Sequence, residues 1–394
     1  MLRAIQAYEE LSLSVLVTGM HLDLAHGRTV QELVADGFHI AAEVKSHVSD
    51  DSLAGMAQTL GQCLSAMSRE IERIRPDIVL VLGDRGEQLA ATIAAAVQNV
   101  TIAHLCGGSL SGSIDDSFRH AITKFAHFHL PASEEHAARI CQMGEDPQAV
   151  RIVGLPGGDL RPDVTLSATE VRAQYGMPQN EPYLLVIQHS VTHSRADVEA
   201  QITETLEAAA QLNHATLLAN PNSDSGGRVI MKLMRDYADR YEHLIVFPPP
   251  NSREKFASVM AHSAALIGNS SSALSEAMSI PVPVVNVGER QRGREHLACW
   301  INVDYDRNEI REAIRMAVGD SEYTRTLAKF TSPLVRRNHA EDIAHALANL
   351  DLNRARQSKS FVSIPHGAGN ERGRERRTDS RKERDPSHSD PRDQ

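Results

Sequence analysis

Short runs of continuous apolar residues alternate along this chain with longer stretches in which apolar positions return every three to four residues. In the first half the short runs are "LSVLVTG" (13–19), "DIVLVLGD" (77–84), "TIAHLCGG" (101–108) and "VRIVGLP" (150–156). Helical periodicity fills 53–74, 86–98 and 114–126 between them. In the second half the runs are "YLLVIQHS" (183–190), "ATLLANP" (215–221), "HLIVFPP" (243–249), "AALIGNSS" (264–271) and "VPVVNVG" (282–288). Val/Ile/Leu-rich runs with no polar alternation predict strands buried on both faces, hence parallel sheets covered by helices. The polar stretch "GLPGGDLRPDVTLSATE" (154–170) divides the two series. The pattern predicts an α/β chain with two doubly wound, Rossmann-like domains, residues 1–165 and 166–352, and a ligand held between them.

The two ends break the pattern. The chain opens on a helix-like segment, so the phosphate-binding loop that commonly follows the first strand of such a domain is not visible, and the first strand of the N-terminal domain is expected to be missing. From residue 353 to 394 charges of both signs dominate with almost no apolar residues, which predicts a disordered, solvated tail.

Composition narrows the class. The 394 residues exceed what one simple core needs, and 41% apolar with 23% charged residues is that of a soluble globular protein. With 41 Lys and Arg against 51 Asp and Glu, the net charge of −10 argues against a general nucleic-acid binder, though not against a small anionic substrate. The four cysteines (63, 106, 141, 299) have no metal or disulfide spacing, which predicts a reduced, cytoplasmic setting. No apolar run approaches a membrane span, and the first residues lack the order of a signal peptide.

Candidate chemistry collects at strand ends, where parallel sheets bind ligands. Asp84 and Arg85 follow one strand: a carboxylate for proton transfer and a guanidinium for phosphate, or more plainly a helix cap and a surface cation. "HLCGGSLSGSIDDSFRHAITKFAHFHL" (104–130) holds Asp115, Asp116 and four histidines. Its His and Cys spacing fits no zinc pattern, so no metal is expected, and the aspartates read as part of a carboxylate centre or as helix caps. In "LIGNSSSALSEAMS" (266–279) Ser270 to Ser272 open a helix whose free N–H groups suit an anion, and Glu276 suits sugar hydroxyls. Arg290, Arg292 and Arg294 suit a diphosphate, or solvent. His189 closes a buried run as a candidate proton carrier or phosphate contact.

Six ordered motifs, "TGMHL" (18–22), "GDR" (83–85), "GSIDDSFRHAITKFAHFHL" (112–130), "PNSDSG" (221–226), "GNSSSALSEA" (268–277) and "GERQRGR" (288–294), resemble those of the UDP-N-acetylglucosamine 2-epimerase family over about residues 2–350. The "IDDSxRHAITK" block is similar to the hydrolysing branch, which makes N-acetylmannosamine for sialic acid and related nonulosonic acids. The resemblance implies a glycosyltransferase-B-like pair of domains and no cofactor. By position it implies diphosphate contacts for Ser270, Ser271 and Arg290, a ribose contact for Glu276 and a nucleotide neighbour in Asn222. It implies a reacting centre of Asp84, Arg85, Asp115, Asp116 and His189, lined by His21 and His104. The implied reaction is anti elimination of UDP to a glycal followed by water addition, in a cytoplasmic homodimer or homotetramer. Cys106 and Ser109 stand where family members commonly place acids, and the "GTRA"-like first loop is not seen. Three other readings stand beside the first: a non-hydrolysing epimerase, a homologue acting on another nucleotide sugar such as a diacetamido-trideoxyhexose, and a catalytically silent nucleotide-sugar-binding homologue.

Overall fold

The computed structural model describes residues 1–363 apart from 47, 49, 51, 157–160, 192–196, 249–251, 272–275, 281, 295–299, 330–333, 335–337 and 356–358. Among the described residues eleven strands form three parallel sheets: β1 (Val15–Thr18) with β2 (Ile40–Val44); β3 (Ile78–Leu82), β4 (Thr101–Leu105) and β5 (Phe128–Leu130); and a six-stranded sheet. The last comprises β6 (Tyr183–Ile187), β7 (Ala215–Ala219), β8 (Leu244–Phe247), β9 (Ala265–Gly268), β10 (Val284–Val287) and β11 (Trp300–Val303), in the order β11-β10-β9-β6-β7-β8.

The six-stranded sheet is doubly wound in the sense predicted. Every residue of β6, β7, β9 and β10 is buried, because helices cover both faces. Leu185, Leu217 and Leu266 pack into one core layer; Leu184, Val186, Leu218 and Ile267 pack into the other, the strict alternation of a strand. The order reverses beside β6, since β7 and β8 lie on one side and β9 and β10 on the other. The carboxyl ends of β6 and β9 are therefore the switch point at which such sheets bind ligands.

The first unit is smaller and divided. β1 and β3 belong to separate sheets, and among the described residues no strand carries a hydrogen-bond ladder from one to the other. What joins the two pieces is apolar packing: Leu16, Ala42 and Val44 share a cluster with Val79, Val81 and the helices Leu53–Ile74 and Gly86–Val97. Ser52 caps the first of these helices by accepting from Gly55 N at 2.9 Å, and Arg75 ends it in the left-handed conformation. On the opposite face of β3–β5, Ala103, Leu105 and Phe128 pack against Ile5 of the opening helix Leu2–Gln6 and against Ile343 and Leu347 of the helix His339–Ala348. The C-terminal region thus returns to the first unit.

Two sequence expectations need correction. "VRIVGLP" (150–156) makes only an isolated parallel bridge from Val150 to His129, because β5 beside it is itself three residues long. Part of the stretch expected as a tail from residue 353 is ordered: Leu352–Ala355 is helical and Val362 N donates to Gly144 O at 2.9 Å. Residues 356–358 and 364–394 lie outside the described residues, as does Ser272. No described helix is long and apolar enough to cross a membrane.

Candidate active site between the two units

Asp84 stands one residue beyond the β3 turn, where Gly83 takes φ +75°. His104 fixes that turn from behind: its Nε2 lies 2.8 Å from Gly83 O and its Nδ1 3.2 Å from Thr123 Oγ1. Its ring is fully buried, and that burial pushes it down to about 3, so it stays neutral. The structure therefore places His104 as a prop beneath the site. His21, on the short helix Gly19–Leu22, is exposed and bonded to Thr29 Oγ1 at 2.7 Å.

The helix Ile114–Phe125 brings Asp115 and Asp116 to its first turn, where its dipole favours anions. One turn on, the fully buried Arg119 spans the pair of loops. Its Nη1 donates to Asp116 Oδ1 and to Ser109 O at 2.8 and 2.9 Å, and its Nη2 is ion-paired with Asp84. Asp116 Oδ1 also accepts from Ser111 N at 2.8 Å. Arg119 was not given a role from sequence, although it is the arginine of the "IDDSxRHAITK" block.

The second unit answers from across the cleft. Arg290 Nη2 lies 3.4 Å from Asp115 Oδ2, and Arg85 Nη1 lies 2.7 Å from Asp224 Oδ1, so an ion pair crosses in each direction. Gly112 N donates to Arg290 O at 3.0 Å, which adds a backbone tie. Asp224 is a second residue given no role from sequence, although it lies in the "PNSDSG" motif (221–226). At the switch point Asn269 ties the ends of β6 and β9 together, accepting from His189 N at 2.8 Å and donating to His189 O at 3.0 Å. That closeness needs Gly268 at φ +132°, because a Cβ there would stand 2.1 Å from Ile187 O. Arg290 Nη1 and Gln291 Nε2 donate to Asn269 O at 3.1 and 2.7 Å. Ser270 is buried and Ser271 half-buried at the start of the helical segment that follows. Asn222 N donates to His189 Nδ1 at 3.1 Å, and its side chain donates to Asp224 Oδ2 at 2.6 Å. Arg292 is paired with Glu289 on the surface, away from the cleft.

These surroundings give the carboxyls different states. Burial would raise Asp84, but Arg119, Arg294 and Arg85 outweigh it and hold the group below its ordinary value. Asp115 is pushed up, first by burial and then by the charge of Asp84, beyond what Arg85 and Arg290 offset. Asp224 is held low by Arg85 and Arg290 against its burial. Burial, with Arg290 nearby, pushes His189 down to about 3. Because Nδ1 of that neutral ring accepts from a backbone N–H, its proton sits on Nε2, which is left as a donor. Burial pushes Glu276 up to about 7. Cys106, at φ +61° between β4 and the aspartates, is pushed up to about 12 by burial and Asp84, so it is a neutral thiol. Among the described residues no three His, Cys, Asp or Glu side chains converge in a metal-holding arrangement.

Beside Arg85, Asp115 and Asp224 opens a cavity of about 580 Å³ between the units. Its other walls are chiefly apolar, with Leu53, Met56, Leu60 and Phe118 from the first unit and Met231 from the second.

A family model described as UDP-N-acetylglucosamine 2-epimerase matches residues 3–348. The chain belongs to this family. It is 36% identical over 318 residues, 80% of its length and 84% of the relative's, to a UDP-N,N'-diacetylbacillosamine 2-epimerase (hydrolyzing) of Legionella pneumophila. A UDP-N-acetylglucosamine 2-epimerase of Neisseria meningitidis is 33% identical over 374 residues, 92% of this chain and 94% of that one. Among solved structures, the UDP-GlcNAc 2-epimerase from Neisseria meningitidis bound to UDP-GlcNAc superposes with a TM-score of 0.74 at 16% identity, covering 87% of this chain and 93% of the other. That likeness gives the glycosyltransferase-B-like arrangement of two Rossmann-like units.

Proposed function

We propose that this epimerase-family member is a hydrolysing 2-epimerase that converts a UDP-2-acetamido sugar to UDP and the 2-epimeric free sugar. The reading rests on one observation above the others. The first unit brings together two carboxyls moved in opposite directions, Asp84 held low by Arg119 and Asp115 pushed up by burial and by Asp84, and Asp115 lies 3.4 Å from Arg290 of the second unit. The sugar C2 hydrogen is not acidic, so departure of the leaving group must drive its loss. The C1–O bond breaks with both electrons leaving on UDP, whose charge Arg290, His189 Nε2–H and the helix start at Ser270 and Ser271 receive. Asp84 takes the C2 proton, and a C1–C2 double bond forms. Water oxygen then adds at C1 as Asp115 delivers its proton to the opposite face of C2; the Asp115 carboxylate so formed takes the proton the water gives up, and Asp84 returns its own to solvent. In this reading residues 1–165 supply the carboxylates and 166–352 the UDP-binding half, with Glu276 on the ribose and Asn222 near the nucleotide. The helix His339–Ala348 is the exception, since it packs on the first unit. The acids this chain lacks at Cys106 and Ser109 are not needed for the scheme, because Asp84, Asp115, Asp116 and Asp224 already converge.

The apolar wall of the cavity beside Asp115 supports a sugar with methyl and acetamido substituents over one with free hydroxyls, the class named for the Legionella relative. Turnover in deuterated water tests the function. Incubation with UDP-N-acetylglucosamine and with its 2,4-diacetamido-2,4,6-trideoxy analogue is expected to release UDP and a free sugar labelled at C2, faster with the analogue. Label in an intact UDP-sugar means the non-hydrolysing reaction instead, and tight binding of both without UDP release means a silent protein.

A further inference from the structure

The helix Ile114–Phe125 offers Asp115 and Asp116 to the site from its first turn, yet its other end makes an uncommon contact. Lys359, more than two hundred residues later, places its ammonium 3.1, 2.7 and 2.6 Å from the carbonyl oxygens of Thr123, Lys124 and Ala126. These lie at the helix end, where backbone acceptors have no intrahelical partner and a cation is favoured by the dipole. The same ammonium is 2.6 Å from Glu145 Oε2, and Glu145 is itself buried, with Lys124 Nζ at 2.6 Å and His129 Nε2 at 3.0 Å. The residues after Lys359 continue the attachment. Phe361 lies against Gly144, with Lys124 Nζ 4.8 Å from its ring centre, and Val362 N donates to Gly144 O.

The contact is connected to the reacting groups by short steps. Thr123, whose carbonyl Lys359 holds, carries the hydroxyl 3.2 Å from His104 Nδ1, and His104 holds Gly83 beside Asp84. Thr123 Oγ1 also lies 3.1 Å from Arg119 O, and Arg119 is the cation joining Asp84 to Asp116. We propose that Lys359 is a positioning residue: by clamping the carbonyl end of this helix it sets the register of Asp84, Asp115 and Asp116 against the leaving group and sugar. The cleft-side face of the helix is held by ion pairs that a bound diphosphate competes for at Arg290, which leaves the clamp as the fixed end of the lever. The inference rests on the proposed 2-epimerase reaction.

The test uses the full chain with Lys359→Met and Lys359→Arg, and with Lys232→Met as a control that removes an exposed lysine paired only with Asp236. In Lys359→Met, kcat is expected to fall about tenfold with KM unchanged within about twofold, since a small displacement of reacting groups costs turnover more than binding. Released 2-acetamidoglycal is expected to rise as a fraction of product, because the second protonation is mistimed when the carboxylates are displaced. Lys359→Arg should recover part of the loss, and Lys232→Met should match the wild type. Amide exchange is expected to quicken in Lys359→Met along residues 114–126, through to the first turn. Wild-type kcat and product ratio in Lys359→Met overturn the proposal. So does a loss of kcat that only tracks a loss of folded protein, measured by thermal melting and by the fraction of chains that bind UDP. If the wild type itself gives no UDP release, the reaction reading has failed, and exchange decides the clamp separately: unchanged protection at 115–119 overturns it.

Discussion

The two units solve the same packing problem with unequal means. The six-stranded sheet has four wholly buried strands and apolar layers on both faces. The first unit splits its strands between two sheets, leaves Leu82 of β3 43% exposed, and leans on buried charge around Arg119. A rigid hydrophobic platform suits the job of holding a nucleotide at a switch point. Carboxylates that must exchange protons need a setting in which charge is balanced by neighbours, and such a setting cannot also be a dry aliphatic core. Under the proposed reaction, binding falls to the unit with the larger buried sheet and chemistry to the unit richer in buried charge.

Substitutions sharpen that contrast. Asp84→Asn is expected to give the largest change, a fall in kcat of at least about 10³-fold with UDP affinity retained, since the base is lost and the platform untouched; steady-state kinetics with UDP titration checks it. Arg119→Met is next. Removing the cation between two carboxylates leaves them uncompensated, and about 3–5 kcal/mol of stability should be lost in denaturant unfolding. A matched pair of leucines tests the platform: Leu185→Ala in β6 should cost about 2–5 kcal/mol, and Leu82→Ala in β3 under about 1 kcal/mol, because only the first side chain is buried. The smallest effect concerns Glu276. Raised to about 7, its carboxyl ionises only as pH passes that value, and the ionised form is the better acceptor for ribose hydroxyls. KM for the UDP-sugar should fall about threefold from pH 6 to 8, and the dependence should vanish in Glu276→Gln.

Much of the fold could be read before the structure. The long helix expected at 53–74 is Leu53–Ile74, and the five strand runs of the second half are β6 to β10 to within a few residues. The strands that escaped notice are the weakly apolar ones. Ile40–Val44 carries two alanines and a glutamate, Trp300–Val303 includes an asparagine, and Phe128–Leu130 is three residues long with His129 in its middle, so none of the three shows a continuous run. "VRIVGLP" has the run and lacks a partner long enough to pair with it. In the site, Asp84, Asp115, Asp116, Arg85, Asn222, His189 and Arg290 come together, whereas His104 lies behind them. Asp224 and Arg119 lie inside the motifs "PNSDSG" and "IDDSxRHAITK", but their partners could not be read from sequence, because a loop aspartate and a helix-borne arginine look the same whether they face water or another charge.

The sequence by itself determined the strand and helix periods, the placing of candidate acids and cations at strand ends, and the family. Only the tertiary structure decided which way the pKa of each carboxyl is moved. Arg119 reaches Asp84 across 35 positions and Arg290 reaches Asp115 across 175, and the protonation of a buried group follows the charges within a few ångströms of it, wherever in the chain they originate.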